Sequence, residues 1–263
     1  MSQPPGPTPL PIQNVIAQMI EALKAPFAEL ARNVNQNAKA TDRDVEHRMY
    51  EQATRASAAY ALDHMVTARP LRGNKYGAGG RFDLLEYAMS FAKLDGIYAE
   101  FGVFQGETLT FIANHVDKVV YGFDSFEGLP ADWFLGVTQG TFSLKGQLPK
   151  LAIPQGNFRL VKGLFGETLP SFVEQIAGPV AFLNIDCDLY ESTKSIFDGF
   201  GDRIVAGTVI VFDEYFNYPG WQKHEFKAFG EFCAERGVTY RYLAFTPAMF
   251  GVAVLVESVG KTT

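Results

Sequence analysis

The stretch Ile97-Tyr-Ala-Glu-Phe-Gly-Val-Phe-Gln-Gly106 decides how this chain folds. Ile97 to Phe101 reads as a buried strand, Gly102 begins a sharp turn, and a helix starts at Gly106. Glycines at both ends of the turn let the backbone bend and approach a ligand closely. Glu100 stands at the strand's carboxyl end, the edge at which open α/β sheets bind ligands. The pattern is not the Gly-x-Gly-x-x-Gly of a dinucleotide site, because the third glycine is missing. An acidic residue, a glycine, and a second glycine four residues later suit a cofactor that carries a cation near the turn.

Downstream of this stretch, strand and helix patterns alternate. Strands are expected at Ile97–Phe101, Lys118–Phe123, Phe158–Val161, Val180–Ile185, Thr208–Phe212, Val238–Phe245 and Phe250–Val256. Helices fit Gly106–His115, Phe165–Ile176, Ser192–Arg203 and Gln222–Arg236. Alternating βα units predict a mostly parallel seven-stranded sheet with helices on both faces. The last two strands have no room for a helix between them, so they form an antiparallel C-terminal hairpin. Gly128 to Gln155 holds aromatics, glycine and proline without periodicity, and such a long connection is usually a lid or binding loop.

Upstream the signal is weaker. Residues 1–12 read as a disordered Pro-rich tail, 13–94 as an N-terminal helical extension, and 95–263 as the α/β domain. Ile16, Ile20, Leu23, Phe27 and Leu30 share one helical face, which either covers its own domain or forms a dimer seam. Asn33 to Lys39 breaks that pattern, and Asp42 through Ala68 reads as a second helix, ended by Arg69-Pro70. Gly73 to Gly80 is a glycine-rich loop, and Arg81 to Lys93 a short amphipathic helix.

The composition bounds the function. With 263 residues, 47% of them hydrophobic, the chain can bury one large core. Lys and Arg number 23 against 29 Asp and Glu, and a net charge of −6 argues against nucleic acid as the partner. Cys187 and Cys233 form no C-x-x-C and no metal spacing, which fits a reduced setting. No basic-then-apolar leader and no bilayer-length apolar run is visible, so a soluble, cytoplasmic protein is expected.

The residues just past the strand ends are Glu100, Asp124, Lys162-Gly163, Asp186, Asp188, Asp213 and Glu214. Asp124 follows its strand where an acidic group can accept hydrogen bonds from both hydroxyls of a ribose; a turn cap is the alternative, and the position favours the ribose role. Asp186 and Asp188 flank Cys187 with a spacing of two, and Asp213-Glu214 closes the next strand. Carboxylates converging without a nearby lysine repel unless a cation sits between them, and hard oxygen ligands suit Mg2+ or Mn2+. His224, Trp221 and Tyr215 lie close by in sequence, His224 being carried as a candidate for proton transfer although a lone histidine there is more often structural.

Taken together, Glu100-Phe-Gly-Val-Phe-Gln-Gly106, Asp124-Ser-Phe-Glu-Gly-Leu-Pro130, Val161-Lys-Gly-Leu-Phe-Gly-Glu-Thr-Leu-Pro170, Asp186-Cys-Asp-Leu-Tyr-Glu-Ser-Thr193 and Asp213-Glu-Tyr215 resemble the class I S-adenosylmethionine methyltransferases. More narrowly they resemble macrocin O-methyltransferases and related bacterial sugar O-methyltransferases. The resemblance implies a Rossmann-like domain over 95–263 that binds S-adenosylmethionine. It implies that Glu100, Gly102 and Gly106 form the turn at the methionine end, that Asp124 and Ser125 meet the ribose, and that Lys162 and Gly163 border the adenine. Asp186, Asp213 and Glu214 would bind Mg2+ or Mn2+, Asp188 belonging to the same cluster and Asp186 also bordering the cofactor. Two departures stand out: Glu214 replaces a more usual aspartate, and Phe104-Gln105 replaces the tryptophan-arginine of the glycosylated-macrolide enzymes.

The chemistry expected is metal-assisted methylation of a hydroxyl on a sugar or glycosylated metabolite, with Asp186 or Asp188 accepting the proton. Other readings are a glycosyltransferase using Asp186 and Asp188 on a nucleotide sugar, and a non-catalytic module that dimerises through Ile16 to Leu30. A homodimer or higher homo-oligomer is expected, and the same helix could then cover the site of a neighbouring subunit.

Overall fold

The computed structural model describes residues 12–260. Contacts divide the chain into a unit ending at Met49 and a second unit running from Tyr50. Helix α1 spans Ile12–His64, so the two helices expected around Asn33–Lys39 are one. The polar run there holds no glycine or proline, and residues such as Asn cost a helix only tenths of a kcal/mol each. Of the expected seam, Leu30 is exposed, and the side chains of Ile16, Ile20, Leu23 and Phe27 lie outside the described residues, as does the proline-rich start. Among the described residues no helix is long and apolar enough to cross a membrane.

The second unit is an α/β sheet. Its elements are β1 (Arg69–Pro70), α2 (Arg81–Met89), β2 (Ile97–Phe101), α3 (Glu107–His115), β3 (Val120–Asp124), β4 (Phe158–Lys162), α4 (Phe165–Gln175), β5 (Val180–Ile185), α5 (Tyr190–Phe200), β6 (Val209–Phe212), α6 (Glu225–Arg236), β7 (Thr239–Phe245) and β8 (Val252–Ser258). The strand order is β1-β7-β8-β6-β5-β2-β3-β4. β4, β3, β2, β5 and β6 run parallel, while β8 is antiparallel to both β6 and β7. All seven expected strands are present. An eighth, the two-residue β1, joins the edge beside β7, where a proline lacking its N–H is tolerated.

The core follows from the pleat. Ile97, Ala99 and Phe101 of β2 face one apolar cluster, and Tyr98 faces the other. Ile210 and Phe212 of β6 alternate with Val209 and Val211 in the same way. The first cluster is closed by α4, α5 and α6 through residues such as Leu169, Phe197 and Phe229; the second by α2 and α3 through Leu84, Leu85, Leu109 and Ile112. β2, β5 and β6 are buried at every position, as central strands covered on both faces must be.

This order places the topological switch between β2 and β5. From β2 the chain moves outward through β3 and β4, then returns to lay β5 on the other side. The crevice at the carboxyl ends of β2 and β5 is where such sheets bind ligands. Gly102 sits there with φ +91. A methyl built on it would lie 1.6 Å from the Asp186 carbonyl oxygen, so only glycine lets the two strand ends approach. Gly102→Ala is therefore expected to lose at least about 3 kcal/mol, a Tm drop of roughly 6–12 °C by calorimetry. An unchanged Tm would mean that this approach is not required.

Candidate active site

Main-chain hydrogen bonds carry the sheet ladder just past its strands and hold the site loops in place. Gly102 N–H donates to the Phe123 carbonyl (2.9 Å), Asp186 N–H to Phe101 (2.8 Å), and Asp213 N–H to Ile185 (2.9 Å). Beyond them opens a cavity of about 730 Å3. Gly102, Gly106, Asp124, Ser125 and Gly163 line it together with Asp186, Asp188, Asp213 and Glu214. The connection between β3 and β4 supplies much of the wall through Leu129, Trp133, Phe134 and Phe142. It folds back on itself, Leu129 N–H donating to Thr141 and Gly140 N–H to Leu129 (both 2.9 Å).

Asp124 performs the capping role. One oxygen accepts the N–H groups of Val103 (2.8 Å) and Phe104 (2.7 Å), and the other accepts Phe126 N–H (2.7 Å). The carboxylate thus braces the glycine turn while also lining the cavity. Phe104 (φ +46) and Asp188 (φ +63), both in the cavity wall, adopt left-handed backbone that β-carbons disfavour. Such strain gathers where a site needs a particular side-chain direction.

Three expected site residues stand apart from the cavity lining. Glu100 is fully buried, accepting the Thr108 hydroxyl (3.1 Å) and the Asn184 amide (3.1 Å). Lys162 turns its ammonium to the Gly146 carbonyl (2.5 Å), tying the long connection to β4 while its neighbour Gly163 reaches the wall. His224 is half-buried against Tyr218 and Trp133, and burial, then Lys223, lower its pKa. Trp221 and Tyr215 are core residues, and the tryptophan in the cavity wall is Trp133.

Asp186, Asp213 and Glu214 each direct an oxygen to within 4.8 Å of the others. Glu214 is buried, and its Oε2 has no hydrogen-bond partner. Burial, then Asp213, raises the carboxyl pKa of Asp186 and of Glu214 well above the ordinary range. Burial followed by Asp213 likewise pushes Asp188 up to about 7. Hard oxygen donors with an unsatisfied buried lone pair are a donor set that fits Mg2+ or Mn2+.

The converging carboxylates do have a protein cation beside them, an arginine distant in sequence rather than a nearby lysine. Arg81, the first residue of α2, pairs through Nη2 with Asp186, and its Nε lies 3.0 Å from Asp213 Oδ1 without hydrogen-bond alignment. Burial works against the guanidinium charge, but Asp186, Asp213, Glu214 and Glu100 outweigh it and raise its pKa. Asp83 on the same helix accepts the N–H groups of Lys75 (3.1 Å) and Tyr76 (3.2 Å), pinning the loop that precedes Arg81. Glu225 is fully buried and accepts the backbone N–H groups of Cys187 (3.4 Å) and Glu214 (3.2 Å).

A protein-family model described as Macrocin-O-methyltransferase (TylF) matches residues 22–241. A curated relative, 8-demethyl-8-(2,3-dimethoxy-alpha-L-rhamnosyl)-tetracenomycin-C 4'-O-methyltransferase of Streptomyces olivaceus, is 28% identical over 162 residues, 51% of this chain and 60% of the relative. The match thus spans less than two thirds of that relative's length. Two solved structures share the fold. Calicheamicin methyltransferase CalS11 is 22% identical, covering 66% of this chain and 77% of its own, with a TM-score of 0.54. The O-methyltransferase NovP is 17% identical, covering 82% and 99%, with a TM-score of 0.53.

Two outcomes follow from the electrostatics. Burial raises Glu100 from an ordinary 4.5 to about 8, so the folded chain holds that proton more tightly than the unfolded one. Its stabilising share is complete below pH 4.5 and is lost as pH rises through about 8. In chelator, urea unfolding of the wild type should weaken across this window by up to about 1.4 kcal/mol per pH unit relative to Glu100→Gln. Equal slopes would show that Glu100 does not titrate there. Arg81→Met should cost the metal-free protein about 2 kcal/mol, since it strands Asp186 and Asp213 without their cation; an unchanged unfolding midpoint would contradict this.

Proposed function

The chain belongs to the macrocin-O-methyltransferase (TylF) family, and from that premise we propose that it is an S-adenosylmethionine- and divalent-cation-dependent O-methyltransferase acting on a hydroxyl of a sugar or glycosylated small molecule. One observation carries the proposal: three carboxylates from two βα units, with an orphaned Glu214 oxygen, converge in the same cavity as the Gly102 turn. The Streptomyces relative, named for methylating a rhamnosyl 4'-oxygen, supports a sugar acceptor. Family membership also favours methyl transfer over a glycosyltransferase use of Asp186 and Asp188.

When bound, the donor supplies an electrophilic sulfonium methyl, and the cation lowers the pKa of the acceptor hydroxyl and holds it in place. The chain's residues supply the rest. Gly102 and Gly106 leave room for the donor's methionine end, and Asp124 keeps that turn in shape. Ser125 and Gly163 border the nucleoside. Asp186, Asp213 and Glu214 would hold the cation. The hydroxyl proton passes to one carboxylate of Asp186-Cys-Asp188, both of which line the cavity. Trp133, Phe134 and Phe142 give an apolar wall that excludes water and packs against the faces of a sugar ring or its aglycone.

Calorimetry with S-adenosylmethionine and methyl transfer to a panel of glycosides test this. Binding of the donor is expected, with turnover falling at least about tenfold in EDTA and returning with Mg2+. Asp186→Asn and Asp188→Asn, compared at fixed cation, identify the proton acceptor by the larger loss of kcat. Absence of donor binding ends the proposal, whereas full turnover in EDTA removes only the cation.

A further inference from the structure

The β5–β6 ladder ends at Ile185 and Phe212, with Asp213 N–H adding one more bond to the Ile185 carbonyl. Past that point the two loops that carry the acidic residues separate from the sheet. Their next backbone donors, Cys187 N–H and Glu214 N–H, have no strand to pair with. Both point at one side chain: Glu225 Oε1 accepts Cys187 N–H at 3.4 Å, and Glu225 Oε2 accepts Glu214 N–H at 3.2 Å. Cys187 lies between Asp186 and Asp188, and Glu214 adjoins Asp213. We propose that Glu225 is a positioning residue for the cation site, a single carboxylate whose two oxygens set the spacing between the ligand loops; this rests on the cation reading given above.

The chemistry of the side chain fits that task. A carboxyl side chain offers two acceptor oxygens, one for each of the two converging N–H donors. A glutamine would turn an NH2 toward one of them. Glu225 is the first residue of α6, which is anchored by Ala228, Phe229 and Phe232 against α5 and β6, so its Cα belongs to the rigid core. Phe229 packs 5.0 Å from Phe212 and Phe197 stacks 4.6 Å from Phe232, ring centre to ring centre. A fully buried carboxylate beside other carboxylates is a poor choice for packing alone, since an apolar residue of similar volume avoids the desolvation. Residues that orient metal ligands typically change metal affinity without touching the ion.

The test titrates Mn2+ and S-adenosylhomocysteine separately into the full chain, by electron paramagnetic resonance and calorimetry, for wild type, Glu225→Gln and Glu225→Met. Mn2+ affinity is expected to fall about 10- to 100-fold in both variants. S-adenosylhomocysteine affinity should stay within about twofold, because the hydrogen bonds of Glu225 go to Cys187 and Glu214 and those of Asp124 to Val103, Phe104 and Phe126. Variants that bind Mn2+ as tightly as wild type overturn the positioning role. Variants that lose both ligands together overturn it too, by making Glu225 a general folding residue. Wild type that binds S-adenosylhomocysteine but no Mn2+ ends the cation reading itself, a result distinct from either.

Discussion

Carboxylates at the ends of β5 and β6 repel one another, and the rest of the structure is arranged around holding them together. At an effective dielectric near 20, two unit charges at the 4.8 Å limit of this cluster repel by on the order of 3 kcal/mol. Asp186, Asp188, Asp213, Glu214 and Glu225 crowd the same crevice, while Arg81 brings a single positive charge. Burial and mutual repulsion are therefore relieved partly by proton uptake, which is why Asp186, Asp188, Glu214 and Glu225 all bind protons more tightly than usual. A cation bound among them would relieve the same strain. The apolar core supplies the opposing force: β2, β5 and β6 are buried along their whole length and cannot part to let the loops relax.

The other half of the cavity is built by close approach rather than by charge. Gly102 lets β2 end directly against the Asp186 backbone, so the donor-side turn and the acidic loops share one wall. Asp124 then spends its carboxylate on three backbone N–H groups of that wall and its own loop. Lys162 extends the bracing to the long connection by holding the Gly146 carbonyl. These are interactions of shape. They give a cavity of fixed outline, lined by the acidic loops and by the aromatic side chains of the long connection.

Much of this was legible in the chain. The short apolar runs that become β2, β5 and β6, buried at every position, and the glycine at the first strand end are local signals, and the sheet follows them closely. The helix starting at Ile12 reads as two in the sequence because a polar stretch without glycine or proline breaks an amphipathic pattern without breaking a helix. Glu100 read as a ligand residue because of its position at a strand end. Its side chain is instead fully buried, satisfied by Thr108 of α3 and Asn184 of β5. Arg81 left no local trace, being 105 residues from the aspartate it pairs with.

By itself the sequence determined which strands form, where the chain turns sharply, and that carboxylates follow β5 and β6, because propensity, pleat period and glycine geometry act over a few residues. The tertiary structure brings Asp186, Asp213 and Glu214 together as the resemblance implied, and it alone decided that Arg81 neutralises part of them and that Glu225 ties their loops. Those facts depend on strand order and on the packing of α2 and α6, which bring together residues that no local spacing relates.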